Sequence, residues 1–344
     1  MNPIIECVPN FSEGRNLHTL SLISEAIRSV SGVKLLHISR GEAANRTVFT
    51  FAGRPDDVVE AAYRAIEVAV THIDMRQHKG THPRLGAVDV CPFVPVQDIS
   101  IEQTNVYVKT LARRIASDFQ YPIYLYEHSA SSPERRKLEY HRSGEYEKLA
   151  HKLAHPAHQP DEGKAIFVPK TGATVMGVRD FLVAFNVNLA TNDVSIAREI
   201  AAQVRESGKK INENGVITHQ AGKCRGVKAI GWFIEDFRKV QVSMNLTDLK
   251  ATPTYRAFEE VKKLAHQFGT AVTGSELIGL IPLSEMVQAG RYFMETYEGQ
   301  YVDDETIHIQ KAISYLGLDE LEKFVVTERI LEYALNLKHF PATL

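Results

Sequence analysis

Two histidines, His78 and His82, stand four residues apart in the segment QHKGTHPRLGAVDVCPF, Gln77 to Phe93, which also holds Lys79, Arg84, Asp89, two glycines and two prolines. A four-residue spacing could present both rings to a zinc ion from one helical face. Gly80 and Pro83 break that helix, however, and no HExxH glutamate is present, so no metal is expected. Histidines in such a loop can also be plain solvated residues. The alternative is proton transfer, because an unperturbed imidazole titrates near pH 6.5, about where it can both take and return a proton. His82 is the better candidate, since Pro83 restricts its backbone and Arg84 next to it offers a bidentate fork for a carboxylate. His78 has no such framing.

Other segments carry polar groups that could hold a ligand. ECVPNFSEGRN runs from a strand into a loop with Asn10 at its centre, although Ser12 or Asn16 could simply cap the helix that follows. Asn45 and Arg46 open a strand in ANRTVFTF. VPKTGATVMGVR, Val168 to Arg179, is rich in small residues whose backbone can approach a flat ligand closely. Asn186 and Asn188 in FNVNL share one face of a strand, where paired amides can match the edge of a heterocycle or form a structural ladder. Neither GxxxxGK[ST] nor a helix-opening GxGxxG occurs, so no motif supports ATP or dinucleotide use.

The elements that must position these residues follow from periodicity. Ile4 to Val8 reads as a strand, and Leu17, Leu20, Ile23, Ile27 and Val30 as one face of a helix that ends at Gly32. Strands follow at Val33 to Ile38 and Thr47 to Ala52, then a helix opened by Pro55, then a strand at Val88 to Val94. The order strand, helix, strand, strand, helix, strand is a split βαβ unit. It recurs as Phe181 to Leu189, a helix marked by Ile196, Ile200 and Val204, a pair at Val227 to Ile234 and Val240 to Leu246, a helix with Phe258, Val261 and Leu264, and Thr270 to Thr273. A helix at Ile101 to Phe119, a strand at Ile123 to Tyr126 and a polar stretch, His141 to Lys164, lie between the repeats. That polar stretch is a natural boundary.

The totals limit the function. Apolar residues make up 44% and charged residues 24% of the 344, an ordinary globular mixture. The net charge of −2 and the lack of interleaved strand aromatics argue against nucleic-acid binding. Apolar runs fall well short of the roughly 20 residues of a membrane helix. The N-terminus has no secretion signal, which makes the cytoplasm the expected location. Cys7, Cys91 and Cys224 are too few and too widely spaced for a disulfide framework.

Taken in order, ECVPNFSEGRN, NRTVFTFAG, HKGTHPRLGAVDVCPFVPV, VPKTGATVMGVR, FLVAFNVNL and KAIGWFIED resemble the formiminotransferase family, from Met1 to about Leu335. The resemblance implies an α+β fold of two ferredoxin-like (βαββαβ) subdomains, 1–178 and 179–335 with a tail at 336–344, whose sheets face each other across a folate cleft. It implies a homodimer, a glutamate formimidoyltransferase activity of histidine degradation and one-carbon metabolism, and tetrahydrofolate as co-substrate, without the cyclodeaminase domain fused to some relatives. His82 would be the catalytic residue. The folate segment would be Gly163, Lys164, Ala165, Ile166, Phe167, Val168, Pro169, Lys170, Thr171 and Gly172. Arg46, Arg84 and Arg179 would meet carboxylates, with Asn10, Asn45, Asn186 and Asn188 as further contacts. The family pattern usually has an acidic residue where this chain has Thr81, and often where it has His37, so the donor amino acid stays open. Processing of 5-formyltetrahydrofolate, transfer from another amino acid, and non-catalytic folate binding are the alternatives.

Overall fold

The computed structural model describes residues 2–213, 216–235, 237–299 and 301–340. It divides into two units, Met1–Asp180 and Phe181–Leu344. The polar stretch at 141–164, where a boundary was expected, therefore lies inside the first unit.

The first unit runs β1 (Ile4–Cys7), β2 (Asn10–Phe11), α1 (Leu17–Arg28), β3 (Val33–Gly41), β4 (Arg46–Gly53), α2 (Pro55–His72), β5 (Val88–Gln97), α3 (Ile101–Phe119), β6 (Ile123–Leu125), α4 (Leu138–Arg142), α5 (Leu149–Leu153) and β7 (Thr174–Val178). The helix starts follow local chemistry. Asn16 caps α1 by accepting from the Thr19 amide, Pro55 occupies the first turn of α2, and Ser100 with Gln103 forms a capping box on α3. The sheet runs β3, β4, then β1 and β2 as two pieces of one interrupted strand, then β5, β7 and β6. β5 and β6 are both parallel to β7, and the other pairings are antiparallel.

Leu20, Ile23 and Ile27 of α1, Val58, Ala62 and Ile66 of α2 and Leu111 and Ile115 of α3 bury against Cys7, Phe11, Phe49, Phe51 and Phe93 of the sheet. A strand's side chains alternate, so Glu6, Asn10 and Arg46 project from the face opposite the helices. Two bulges change the register. Asn10 pairs with Val90 but Phe11 with Val88, which leaves Asp89 as the extra residue of β5. In the same way Leu36 is extra in β3, between the pairs Leu35–Phe51 and His37–Thr50. Bulges of this kind re-aim side chains.

The second unit contains β8 (Val183–Leu189), α6 (Val194–Val204), β9 (Lys209–Glu213), β10 (Val216–Gln220), β11 (Val227–Ile234), β12 (Lys239–Leu246), α7 (Thr254–Gln267), β13 (Val272–Ile278), α8 (Leu283–Phe293) and α9 (Glu305–Leu316). Its sheet order is β11, β12, β8, β13, all neighbours antiparallel, with β9 and β10 as a separate hairpin. Val183, Phe185, Val187 and Leu189 bury with α6, α7 and α8 on one face. The last strand falls later than the Thr270 to Thr273 expected from sequence, because Phe268 and Gly269 still belong to the helix end. Among the described residues no helix is long and apolar enough to cross a membrane.

Candidate functional site

The histidine loop lies between α2 and β5 and is fastened from both sides. Asn45, in the turn between β3 and β4, has a left-handed backbone (φ 48°), which asparagine tolerates better than most residues. Its side-chain oxygen accepts from the Gly14 amide at 2.9 Å and its amide donates to the Lys79 carbonyl at 3.1 Å. A Cβ on Gly80 would meet the Ala44 carbonyl at 2.1 Å, so only glycine lets the loop lie this close to the turn. On the other side, the Ala87 amide donates to Thr171 and the Met75 amide to Lys170. Gly86 and Gly172 form a bridge whose backbones leave no room for a Cβ on either. The 163–172 segment thus buttresses the histidine loop, while Gly163, Lys164 and Ile166 remain exposed.

The two histidines have different surroundings. His78 uses both ring nitrogens: Nε2–H donates to the Asn45 carbonyl at 2.9 Å, and Nδ1 accepts from Arg84 Nε at 3.3 Å. Burial, with Arg84 beside it, holds its pKa below the ordinary histidine value. His82 engages only Nδ1, which lies 2.7 Å from the Pro83 carbonyl and 3.0 Å from Arg46 Nη1. Among the described residues its Nε2 has no hydrogen-bond partner. If Nδ1 donates to Pro83, Nε2 carries a lone pair and is a base; if Nδ1 accepts from Arg46, Nε2 carries the proton and is an acid.

The surrounding charges form a buried triad. Arg46 Nη1 donates to Asp89 Oδ2 at 2.7 Å, and Arg46 Nη2 donates to the Asn10 side-chain oxygen. Asp89, 1% exposed, also accepts from Arg142 through Nη2 and, at 3.2 Å, Nε, and from the Leu85 amide at 3.0 Å. Burial alone would raise the Asp89 pKa, but Arg142 and Arg46 hold it below the usual carboxylate value. Burial and the Arg142 charge bring Arg46 down to about 10. Burial first, then Arg46 and Arg142, push His82 down to about 4, against an upward pull from Pro83 and Asp89. At neutral pH this is an uncharged imidazole facing two cations and one anion.

The structure therefore brings Asn10, Arg46 and His82 together, with Asn45 tying the histidine loop to the β3–β4 turn. It adds Asp89 and Arg142, to which the sequence reading gave no role. The bulge that aims Asp89 has no sequence signature, and Arg142 comes from the polar stretch expected to hold a boundary. The remaining candidates are engaged elsewhere. Arg84 is taken up by Glu147, at 2.9 and 2.6 Å, and Glu145, at 3.1 Å. Arg179 donates to the Asp180 carbonyl and faces Glu6, whose carboxyl burial pushes up to about 7. In the second unit Asn186 and Asn188 do share one sheet face. Asn186 donates to Glu276 at 2.9 Å; Asn188 donates to Glu320 at 2.6 Å and accepts from Gln241 at 2.8 Å.

Comparison with known proteins bears on the same chain. Residues 4–179 match the family model of the formiminotransferase domain, N-terminal subdomain, and residues 184–336 that of the formiminotransferase domain. The chain is 42% identical over 333 residues to a formimidoyltransferase-cyclodeaminase of Mus musculus and 41% identical to that of Dictyostelium discoideum. Each match covers 97% of this chain but only 60% of the relative, so the chain spans about three fifths of their length. It is also 40% identical over 301 residues to a glutamate formimidoyltransferase of Streptococcus pyogenes serotype M1, covering 88% of this chain and 96% of that one.

Proposed function

The chain belongs to the formiminotransferase family, and from that premise we propose that it is a glutamate formimidoyltransferase, moving the formimino group of N-formimino-L-glutamate to N5 of tetrahydrofolate. The observation that carries this reading is His82, a neutral imidazole whose Nε2 has no hydrogen-bond partner among the described residues and whose Nδ1 lies beside Arg46, itself held by the buried Asp89 carboxylate. In the reaction N5 attacks the formimino carbon and a tetrahedral intermediate forms. The attacking nitrogen becomes cationic and far more acidic than the free amine, so a weak base is enough to take its proton. His82 Nε2 accepts it. The resulting imidazolium, destabilised by Arg46 and Arg142, is a strong acid that passes the proton to the glutamate nitrogen as the carbon–nitrogen bond breaks. Proton transfer of this kind contributes about 10² to 10⁴ in rate, and holding both substrates together contributes much of the remainder.

We assign the donor to Arg46 and Asn10 next to His82, and the folate to segment 163–172 with Arg179. We read each unit as a ferredoxin-like βαββαβ arrangement. The order β11, β12, β8, β13 supports this in the second unit, and β3, β4, β1 with β2, β5 supports it in the first.

Purified protein with tetrahydrofolate and N-formimino-L-glutamate tests the reading by absorbance, with formiminoglycine and 5-formyltetrahydrofolate as parallel substrates. Turnover of formiminoglutamate supports it. Turnover of formiminoglycine alone would move the donor assignment, with Thr81 and His37 the positions to examine; turnover of 5-formyltetrahydrofolate alone would replace the reaction.

A further inference from the structure

We infer that Lys152 is a positioning residue for His82, acting by holding Arg142 on Asp89. The inference rests on the reading of His82 as the proton carrier. Arg142 ends α4, a helix of five residues in which the Ser143 and Glu145 amides take the Glu139 and Arg142 carbonyls and leave those of Tyr140 and His141 to other donors. Lys152, on α5, places its ammonium among them: Nζ donates to the carbonyls of Tyr140 at 3.2 Å, His141 at 2.7 Å and Ser143 at 3.1 Å. These carbonyls flank Arg142 on both sides. The lysine is 9% exposed and has no carboxylate partner among the described residues. Burying a cation is costly unless polar groups compensate. Here the three carbonyl dipoles at a helix C-terminus do so, and the same bonds fix the backbone of Arg142. Burial lowers the lysine's pKa, in keeping with an ammonium removed from water.

From there the contacts are continuous. Arg142 donates to both Asp89 oxygens, Asp89 holds Arg46, and Arg46 lies 3.0 Å from His82 Nδ1. His82 faces Arg46 from β4, Asp89 from β5 and Arg142 from α4, with the Pro83 carbonyl on its own loop. If Lys152 is lost, the α4 carbonyls are unpaired and Arg142 leaves Asp89. One of the two cations facing His82 then goes, and Asp89 is less neutralised; both changes favour the imidazolium.

The test is an NMR titration of His82 in full-length protein labelled at histidine, for the wild type, Lys152→Met, Lys152→Arg, Arg142→Gln and the Lys152→Met/Arg142→Gln pair. The titration midpoint should rise by about one pH unit in Lys152→Met and in Arg142→Gln. It should rise no further in the pair, because both changes act on one contact, and it should return toward wild type in Lys152→Arg. Turnover in Lys152→Met should fall about tenfold in kcat with KM for tetrahydrofolate within about twofold. If Lys152→Met does not fold, Lys152→Gln, which keeps an amide donor, takes its place. An unmoved midpoint in the lysine variant, or shifts that add in the pair, would overturn the inference. The titration needs no turnover: a wild type that moves no formimino group, with the midpoint shifting as expected, would sink the proposed activity and leave the positioning role intact.

Discussion

Acid should destabilise the first unit more steeply than ordinary surface histidines allow, and His82 should account for a defined part of the slope. In the unfolded chain its imidazole titrates near 6.5, whereas in the folded unit burial and two arginines push it down to about 4. Between those values the unfolded state binds a proton that the folded state refuses, so stability rises with pH across the window. It is fully present above about pH 6.5 and is lost as the pH falls toward 4. A depression of about 2.5 pH units corresponds to about 3.4 kcal/mol at most, of which about 2 kcal/mol is lost by pH 5. Screening at the half-buried His82 reduces that figure. His141, 2% exposed with its Nε2 2.7 Å from the Arg135 carbonyl, is held down to about 4 by burial and acts over the same window. Against a usual total of about 5–15 kcal/mol this is a large share. The assay is equilibrium urea unfolding at half-unit steps from pH 7.5 to 4.5, for the wild type and His82→Gln. In mid-window the wild-type stability should change more steeply than the variant's, by about 1.4 kcal/mol per pH unit, the value of one proton. His141 and His78 contribute equally to both proteins, so the difference isolates His82. Parallel slopes would refute the reasoning, because they would mean that His82 titrates alike in both states.

Asp89→Asn removes the carboxylate that neutralises two buried guanidinium groups, and should lower stability by about 3–5 kcal/mol in urea unfolding at pH 7.5. Arg46→Lys replaces a fork that reaches Asp89, Asn10 and His82 with a point charge; kcat should drop by about 10- to 100-fold while the circular dichroism spectrum is unchanged. In the second unit His308 is buried at 1% exposure with neither ring nitrogen hydrogen-bonded among the described residues, so His308→Leu should raise stability by about 1 kcal/mol, read as a higher urea midpoint at constant slope.

Strands and helices with a clear apolar period were legible in the sequence. α3 begins and ends at the residues its pattern predicts, Ile101 and Phe119, because a capping box and a single buried face specify it locally. The β9–β10 hairpin and helices α8 and α9 were not read, since they lie outside the repeated order. His82 was found because its loop concentrates glycine, proline and titratable residues. Its charge environment was not, because that depends on tertiary contacts. Asp89 is aimed by a one-residue bulge in β5, and Arg142 arrives from 53 positions away on a helix of five residues, too short to show a period. Arg84 looked available for a carboxylate next to Pro83. Its partners Glu145 and Glu147 lie more than 60 positions away in the polar stretch expected to hold a boundary, and a pairing at that distance has no local signature.

The most direct test of the central claim is to measure kcat with N-formimino-L-glutamate together with tetrahydrofolate affinity in His82→Ala. kcat should fall by at least about 10²-fold while folate affinity stays within a few-fold of wild type. Near-normal turnover in that variant would contradict the claim and remove His82 from the chemistry.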